Sequence, residues 1–213
     1  QGTDSVNATV SYALAANVEN LTLTGVIDAA GTGNDLNNRI VGNGGRNLLS
    51  GGLGNTSGAD TLVGGAGDDT YRVQGGFGDY FTDNLAQRDA VIESPGEGYD
   101  TVLVAQGPYR YRLPDNVEAA EVQYLLTQFS YGPQEVTGNA LDNVIRLTGS
   151  LGLGAVIDGG IGADTMIGGN SNDTFVIDNP GDVVIDNTVG GTDTVRTSFG
   201  HTLGATFENL ELA

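Results

Sequence analysis

Aspartates that follow glycines at a regular interval are the residues of this chain best suited to chemistry. Asp164 closes the turn of GGIGADTMI, which starts at Gly159, and nine residues on Asp173 holds the same sixth place in GGNSNDTFV from Gly168. An earlier stretch repeats the pattern with GNGGRNLLS from Gly42, where Asn47 is sixth, and GGAGDDTYR from Gly64, where Asp69 is sixth. Between them lies GGLGNTSGADTLV from Gly51, the same nonapeptide with four extra residues ahead of Asp60. Weaker copies flank these cores: GNDLNNRIV and GNALDNVIR carry Asn38 and Asn143, GGFGDYF and NPGDVVI carry Asp79 and Asp182, and the looser GSLGLGAVID offers Asp158. Glycines let a backbone turn tightly and approach an ion closely. Carboxylates recurring in such turns suit a hard cation with oxygen ligands.

The period explains why an ion is needed. The first six residues of each nonapeptide read as a turn and the last three as a short strand. The middle residue of that strand (Leu62, Met166, Phe175) points inward and its neighbours outward. One nonapeptide makes half a coil, so alternate turns stack on one side at the strand spacing of about 4.8 Å. Carboxylates stacked roughly 5 Å apart repel by about 3 kcal/mol at an effective dielectric near 20. Several such pairs would cancel most of a typical stability of about 5–15 kcal/mol. Turn carbonyls also converge there without donors. Ca²⁺ resolves both problems, because it takes about six to eight oxygens in tolerant geometry, whereas Mg²⁺ prefers a tight octahedron and keeps waters. Zn²⁺ lacks ligands, since the chain has one histidine and no cysteine. The expected stacked pairs are Asn38 with Asp60, Asn47 with Asp69, Asp60 with Asp79, Asn143 with Asp164, Asp158 with Asp173, and Asp164 with Asp182. The asparagines offer a neutral oxygen and so weaker sites.

The elements that position these turns are short strands. The 213 residues include 35 glycines but only 5 prolines, a composition of many tight turns rather than of a disordered tract. A longer repeat encloses the short one. GTDSV at Gly2 returns as GYDTV at Gly98 and GTDTV at Gly191, and NVENLTL from Asn17 returns as NVEAAEV from Asn116 and FENLEL from Phe207. The expected organisation is therefore a unit over 1–97 with a core at about 33–85, a unit over 98–190 with a core at about 138–188, and over 191–213 the start of a third unit or a capping strand. The chain reads as a piece of a longer array.

At these residues the chain resembles the RTX ("repeats-in-toxin") family, whose hemolysin-type nonapeptide GGIGADTMIGGNSNDTFV follows closely. The GTDTV…ENL…GN.LDN flanks are similar to those of large multi-repeat RTX exoproteins. The resemblance implies an all-β fold of right-handed parallel β-roll segments with Ca²⁺ between stacked turns. It also implies type I secretion from a Gram-negative bacterium and folding outside the cell. In the family, carbonyls of the first four positions join the aspartate as ligands. Here these map to Gly51, Gly52, Gly64, Gly65, Gly67, Gly159, Gly160, Gly162, Gly168 and Gly169. Two departures stand out: the insertion at Asn55–Ala59 should distort one turn, and Ser171 in place of the fourth glycine should displace a carbonyl.

Other features point elsewhere. A net charge of −19 repels nucleic acid and anionic membrane, and no run of residues is apolar enough to span a bilayer. Residues 99–131 hold Tyr99, Tyr109, Tyr111, Tyr124, Tyr131, Arg110, Arg112 and Phe129, types that make binding surfaces for sugar or protein. The alternation of YRYRL also reads as an ordinary strand, which is the favoured reading. His201 stands alone, and no catalytic arrangement follows from spacing. GTGND occurs once, at Gly31, which argues against a repeated ice-binding face. The expectation is a non-catalytic, calcium-dependent structural or spacer module of a secreted or surface protein. The alternatives are part of a polysaccharide-active exoenzyme, or an adhesin segment that binds through 99–131.

Overall fold

A computed structural model of the chain describes residues 2–52, 58–74, 89–105, 110–124, 134–149, 154–186 and 190–213. Among these residues there are twenty short strands and no helix. The chain forms two compact units.

The first unit comprises Gln1–Gly76, Asn84–Val104 and Pro114–Val117. Successive strands alternate between two sheets. One holds β1 (Ser5–Ala8), β3 (Asn20–Leu23), β5 (Arg39–Val41), β7 (Thr61–Val63) and β9 (Ala90–Ile92), in that order. The other holds β2 (Tyr12–Ala13), β4 (Ala29–Thr32), β6 (Asn47–Ser50), β8 (Thr70–Gln74) and β10 (Thr101–Ala105). Neighbours from β1 to β9 and from β2 to β8 pair in parallel. Each strand thus turns over into the opposite sheet and returns two elements later, which is the winding of a parallel β-roll.

The inward ladder is set by the eighth residue of each nonapeptide. Register aligns Leu21 with Ile40, Ile40 with Leu62, and Leu62 with Val91. In the facing sheet Gly31 aligns with Leu49 and Leu49 with Tyr71. Leu21, Ile40, Leu49, Leu62 and Tyr71 are all 0% exposed. Burying side chains of this size contributes about 1.5–3 kcal/mol each. Gly31 leaves room in this row, because a side chain there would press on Ile40, Leu21 and Leu49.

The second unit comprises Phe77–Asp83, Ala105–Leu113 and Glu118–Ala213. One of its sheets orders β12 (Ala119–Tyr124), β14 (Val144–Gly149), β16 (Thr165–Ile167) and β18 (Val183–Ile185). The other orders β11 (Arg110–Arg112), β13 (Gln134–Thr137), β15 (Ala155–Asp158), β17 (Thr174–Ile177), β19 (Thr194–Thr197) and β20 (Asn209–Leu212). All these pairs are parallel. Val136, Ile157, Phe175 and Val195 form one inward row and Ile145 and Met166 another, each residue 0% exposed. Phe207 packs edge-on against Phe175, with ring centroids 5.4 Å apart.

Within the tyrosine-rich segment, β11 alternates as a strand should. Arg110 and Arg112 are exposed, Tyr111 is half-buried against Val136, and Leu113 is buried. Tyr109, Phe129 and Tyr131 lie outside the described residues. No helix among the described residues is long and apolar enough to cross a membrane.

Candidate calcium centre

Each roll carries columns of turns whose sixth residues lie on top of one another, and one bond type sets the stacking. The backbone N–H of a sixth residue donates to a carboxylate oxygen of the next turn in its column. Asn38 donates to Asp60 Oδ1 at 2.7 Å, and Asp60 in turn to Asp89 Oδ1 at 3.2 Å. On the other side Asn47 donates to Asp69 Oδ1 and Asp69 to Asp100 Oδ1, both at 2.7 Å. In the second unit Asn143 donates to Asp164 Oδ1 at 2.7 Å and Asp164 to Asp182 Oδ1 at 3.0 Å. The facing column runs from Ala155 to Asp173 Oδ1 at 2.9 Å and from Asp173 to Asp193 Oδ1 at 2.7 Å.

That bond uses one oxygen of each carboxylate. The other, Oδ2, is buried without a hydrogen-bond partner in Asp60, Asp69 and Asp164. These residues are 2%, 1% and 0% exposed, so bulk solvent does not reach them. The consequence is electrostatic. Burial, with the charge of Asp89 adding to it, pushes the Asp60 carboxyl up to about 7. Burial followed by the charges of Asp100, Asp68 and Glu97 raises Asp69 to about 7. Burial with Asp182, Asp178 and Asp142 raises Asp164 to about 6, and burial with Asp193 and Asp186 raises Asp173 to about 6. Backbone N–H donors act in the opposite direction and do not overcome burial. Buried carboxylate oxygens without donors, in columns of like charge, are what a divalent cation would satisfy.

The turn glycines leave room for the approach. A Cβ on Gly51 would fall onto the Asp60 carboxylate, and one on Gly159 onto that of Asp164. Carbonyls crowd the same space. A Cβ on Gly33, Gly42 or Gly138 would run into the carbonyl oxygen of Gly51, Gly64 or Gly159, the next turn of its column. Gly67 has φ +119° and lies against the Gly45 carbonyl, a conformation and a contact that exclude a side chain. Gly52, Gly65, Gly160 and Gly162 also have positive φ. Gly168 lies against Asp173 Oδ2, and Gly169 donates its N–H to that oxygen at 2.8 Å. The residues present therefore fit Ca²⁺: carboxylate oxygens, crowded turn carbonyls, and no soft ligands.

The expected pairs meet this geometry unevenly. Asn38 with Asp60, Asn47 with Asp69, Asn143 with Asp164, and Asp164 with Asp182 stack as the spacing requires. Asp158 does not stack on Asp173. Register aligns Asp158 with Val176, at the end of β15, and places Ala155 opposite Asp173. The loose copy GSLGLGAVID is shifted by three residues from the reading that put Asp158 sixth. Asp158 instead accepts the Gly160 N–H in its own turn at 3.0 Å. Asp79 lies outside the described residues, and β7 pairs with β9, so the carboxylate above Asp60 is that of Asp89. Of the insertion, Asn55, Thr56 and Ser57 lie outside the described residues; beyond them Ala59 donates to Asn37 Oδ1 at 3.1 Å, and Asp60 keeps its place beside Asn38. The serine at position 171 also keeps its carbonyl in place, aimed at Gly191 as that of Gly67 is at Gly98.

The asparagines behave differently from the aspartates. The Oδ1 atoms of Asn38, Asn47 and Asn143 accept the N–H of Asn34, Asn43 and Asn139 in their own turns, at 2.6, 2.6 and 2.8 Å. Their Nδ2 groups donate back to carbonyls of Val18, Ala29 and Glu118. The amide supplies the donor that a carboxylate lacks, so the sixth position itself carries no charge to balance.

Three acidic residues of these columns, Asp89, Asp100 and Asp193, were not among the expected ligands. For Asp100 and Asp193 the signal was present, because GYDTV and GTDTV are themselves Gly-x-Asp-x-apolar turns, but they read first as the starts of long units; Asp89, in QRDAV, carries no such glycine.

Residues 32–55, 56–79 and 156–176, about a third of the chain, match the family described as RTX calcium-binding nonapeptide repeat (4 copies). Repeats of this description bind calcium ions. No curated protein and no solved structure matches the chain.

Proposed function

We propose, from the premise that this chain is an RTX calcium-binding repeat protein, that it is a structural module whose folding is switched on by calcium. It leaves the cell as an ion-free chain, closes into rolls outside, and acts as a stiff spacer within a secreted or surface protein, with no catalysis of its own. The observation that carries this reading is the set of buried Oδ2 atoms of Asp60, Asp69 and Asp164 that no donor reaches. An ion-free roll must either protonate these groups or bear their charge in a dry interior, and both disfavour the roll near neutral pH. Bound Ca²⁺ reverses that balance, and binding free energy becomes folding free energy. Extracellular calcium modules bind in the range of about 0.1–1 mM, so a module of this kind would stay open where calcium is scarce.

The test is circular dichroism during a calcium titration. The chain in EDTA is expected to show little β signal, to gain it cooperatively as calcium rises, and to lose it again when chelator is added. Equal β content in EDTA and in calcium would reject the reading.

A further inference from the structure

Beyond the sixth-position columns, the first unit brings a third carboxylate to one turn. Asp69, Glu93 and Asp100 place a carboxylate oxygen each within 4.8 Å of one another. They are 1%, 8% and 1% exposed. Glu93 belongs to no nonapeptide and lies outside the segments that match the repeat family. It directly follows β9, whose Ile92 aligns with Val63, so Glu93 stacks over Gly64 at the first position of the turn below. In the ordinary scheme a glycine carbonyl would occupy that level. Here a carboxylate does.

The oxygens converge on one spot. A Cβ built on Gly64 would run into Asp69 Oδ2, Glu93 Oε1 and the Tyr71 hydroxyl together. Tyr71 is fully buried and donates its hydroxyl to Glu93 Oε1, which fixes the carboxylate's direction. Independently of the cluster, Asp69 Oδ2 is a buried oxygen with no hydrogen-bond partner, and it is aimed at this spot.

Among the described residues the second unit does not repeat this convergence: Gly168 takes the place of Gly64, Phe175 stands where the first unit has Tyr71, and Asp173 Oδ2 accepts the Gly169 N–H.

We propose that Glu93 joins Asp69 and Asp100 as a third carboxylate ligand of the Ca²⁺ in their column, the carboxylate after β9 replacing a turn carbonyl. Three carboxylates on one ion make this a more highly charged and tighter site than those built from one or two aspartates and carbonyls. The inference rests on the calcium-dependent folding proposed above.

Ion counting on the full chain by equilibrium dialysis at neutral pH tests it. Glu93→Gln is expected to bind one calcium fewer than the parent. Glu93→Asp, which keeps a carboxylate at that place, is expected to keep the parent's number. A full complement of ions at unchanged affinity in Glu93→Gln would overturn the site. Should that variant fail to fold, a crystal of the unaltered chain grown in CaCl₂ decides: an ion within about 2.3–2.6 Å of Glu93 supports the site, and none there overturns it. A chain that folds with calcium but binds none at Glu93 sinks this site alone. A chain equally folded in EDTA sinks the proposed function.

Discussion

In saturating calcium, a chain carrying both Asp164→Ala and Asp173→Ala is expected to bind fewer calcium ions than the parent and to lose the β ellipticity of the second unit. The first unit should keep its own. Asp164 and Asp173 stand in the two facing columns of that roll, so the pair removes a carboxylate from each. The substitutions also strip acceptors from the backbone N–H groups of Asn143, Ala155 and Gly169. Each buried N–H left unpaired costs about 1–3 kcal/mol before any ion is lost, which together approaches the stability of a small domain. Asp164→Asn separates the two effects, because the amide keeps an acceptor and removes only the charge. That variant should bind less calcium while losing less structure. Calcium stoichiometry by titration calorimetry, with ellipticity measured in parallel, reads both. Unchanged binding in the double variant would remove these residues from the ligand set.

The second large effect is of pH on the ion-free chain. The carboxyls of Asp60 and Asp69 stand at about 7 in the roll against an ordinary value of 3.8. A rise of that size corresponds to roughly 4 kcal/mol of disfavoured charging at each group. The sign follows from linkage: a carboxyl whose folded value is raised stabilises the roll fully below its unfolded value, and loses that contribution as pH rises through its folded value. Asp164 and Asp173, at about 6, behave in the same way over a slightly lower range. In EDTA the β signal should therefore be weakest at pH 8 and should recover in part on acidification to pH 5, with most of the change between about pH 7 and 5. Protons then do incompletely what calcium does. The increment in thermal stability on adding calcium should shrink over the same interval. An ion-free chain whose ellipticity does not change from pH 8 to 5 would show that these carboxyls are not buried as described.

Much of this arrangement is legible in the sequence because one physical constraint recurs every nine residues. The inward places of Leu62, Met166 and Phe175 follow from period-two alternation in three-residue strands, and all three are fully buried. The pairing of Asn38 with Asp60 survives a four-residue insertion because the strands on either side keep their inward rows. Where the repeat degenerates, the sequence loses its guide. GSLGLGAVID offers one aspartate, and counting from it misplaces the turn; the hydrophobic row through Ile157 fixes the register instead and leaves Ala155 beside Asp173. Glu93 is invisible to any count of nine, since its place depends on β9 lying beside β7. Tyr71 looks like one more inward residue, and only the fold shows that its hydroxyl reaches Glu93.

The carboxamides of Asn38, Asn47 and Asn143 hold their corners without an ion, since each accepts and donates within its roll. Withdrawing calcium should therefore loosen the aspartate corners first and leave these three as the last ordered remnants of each roll.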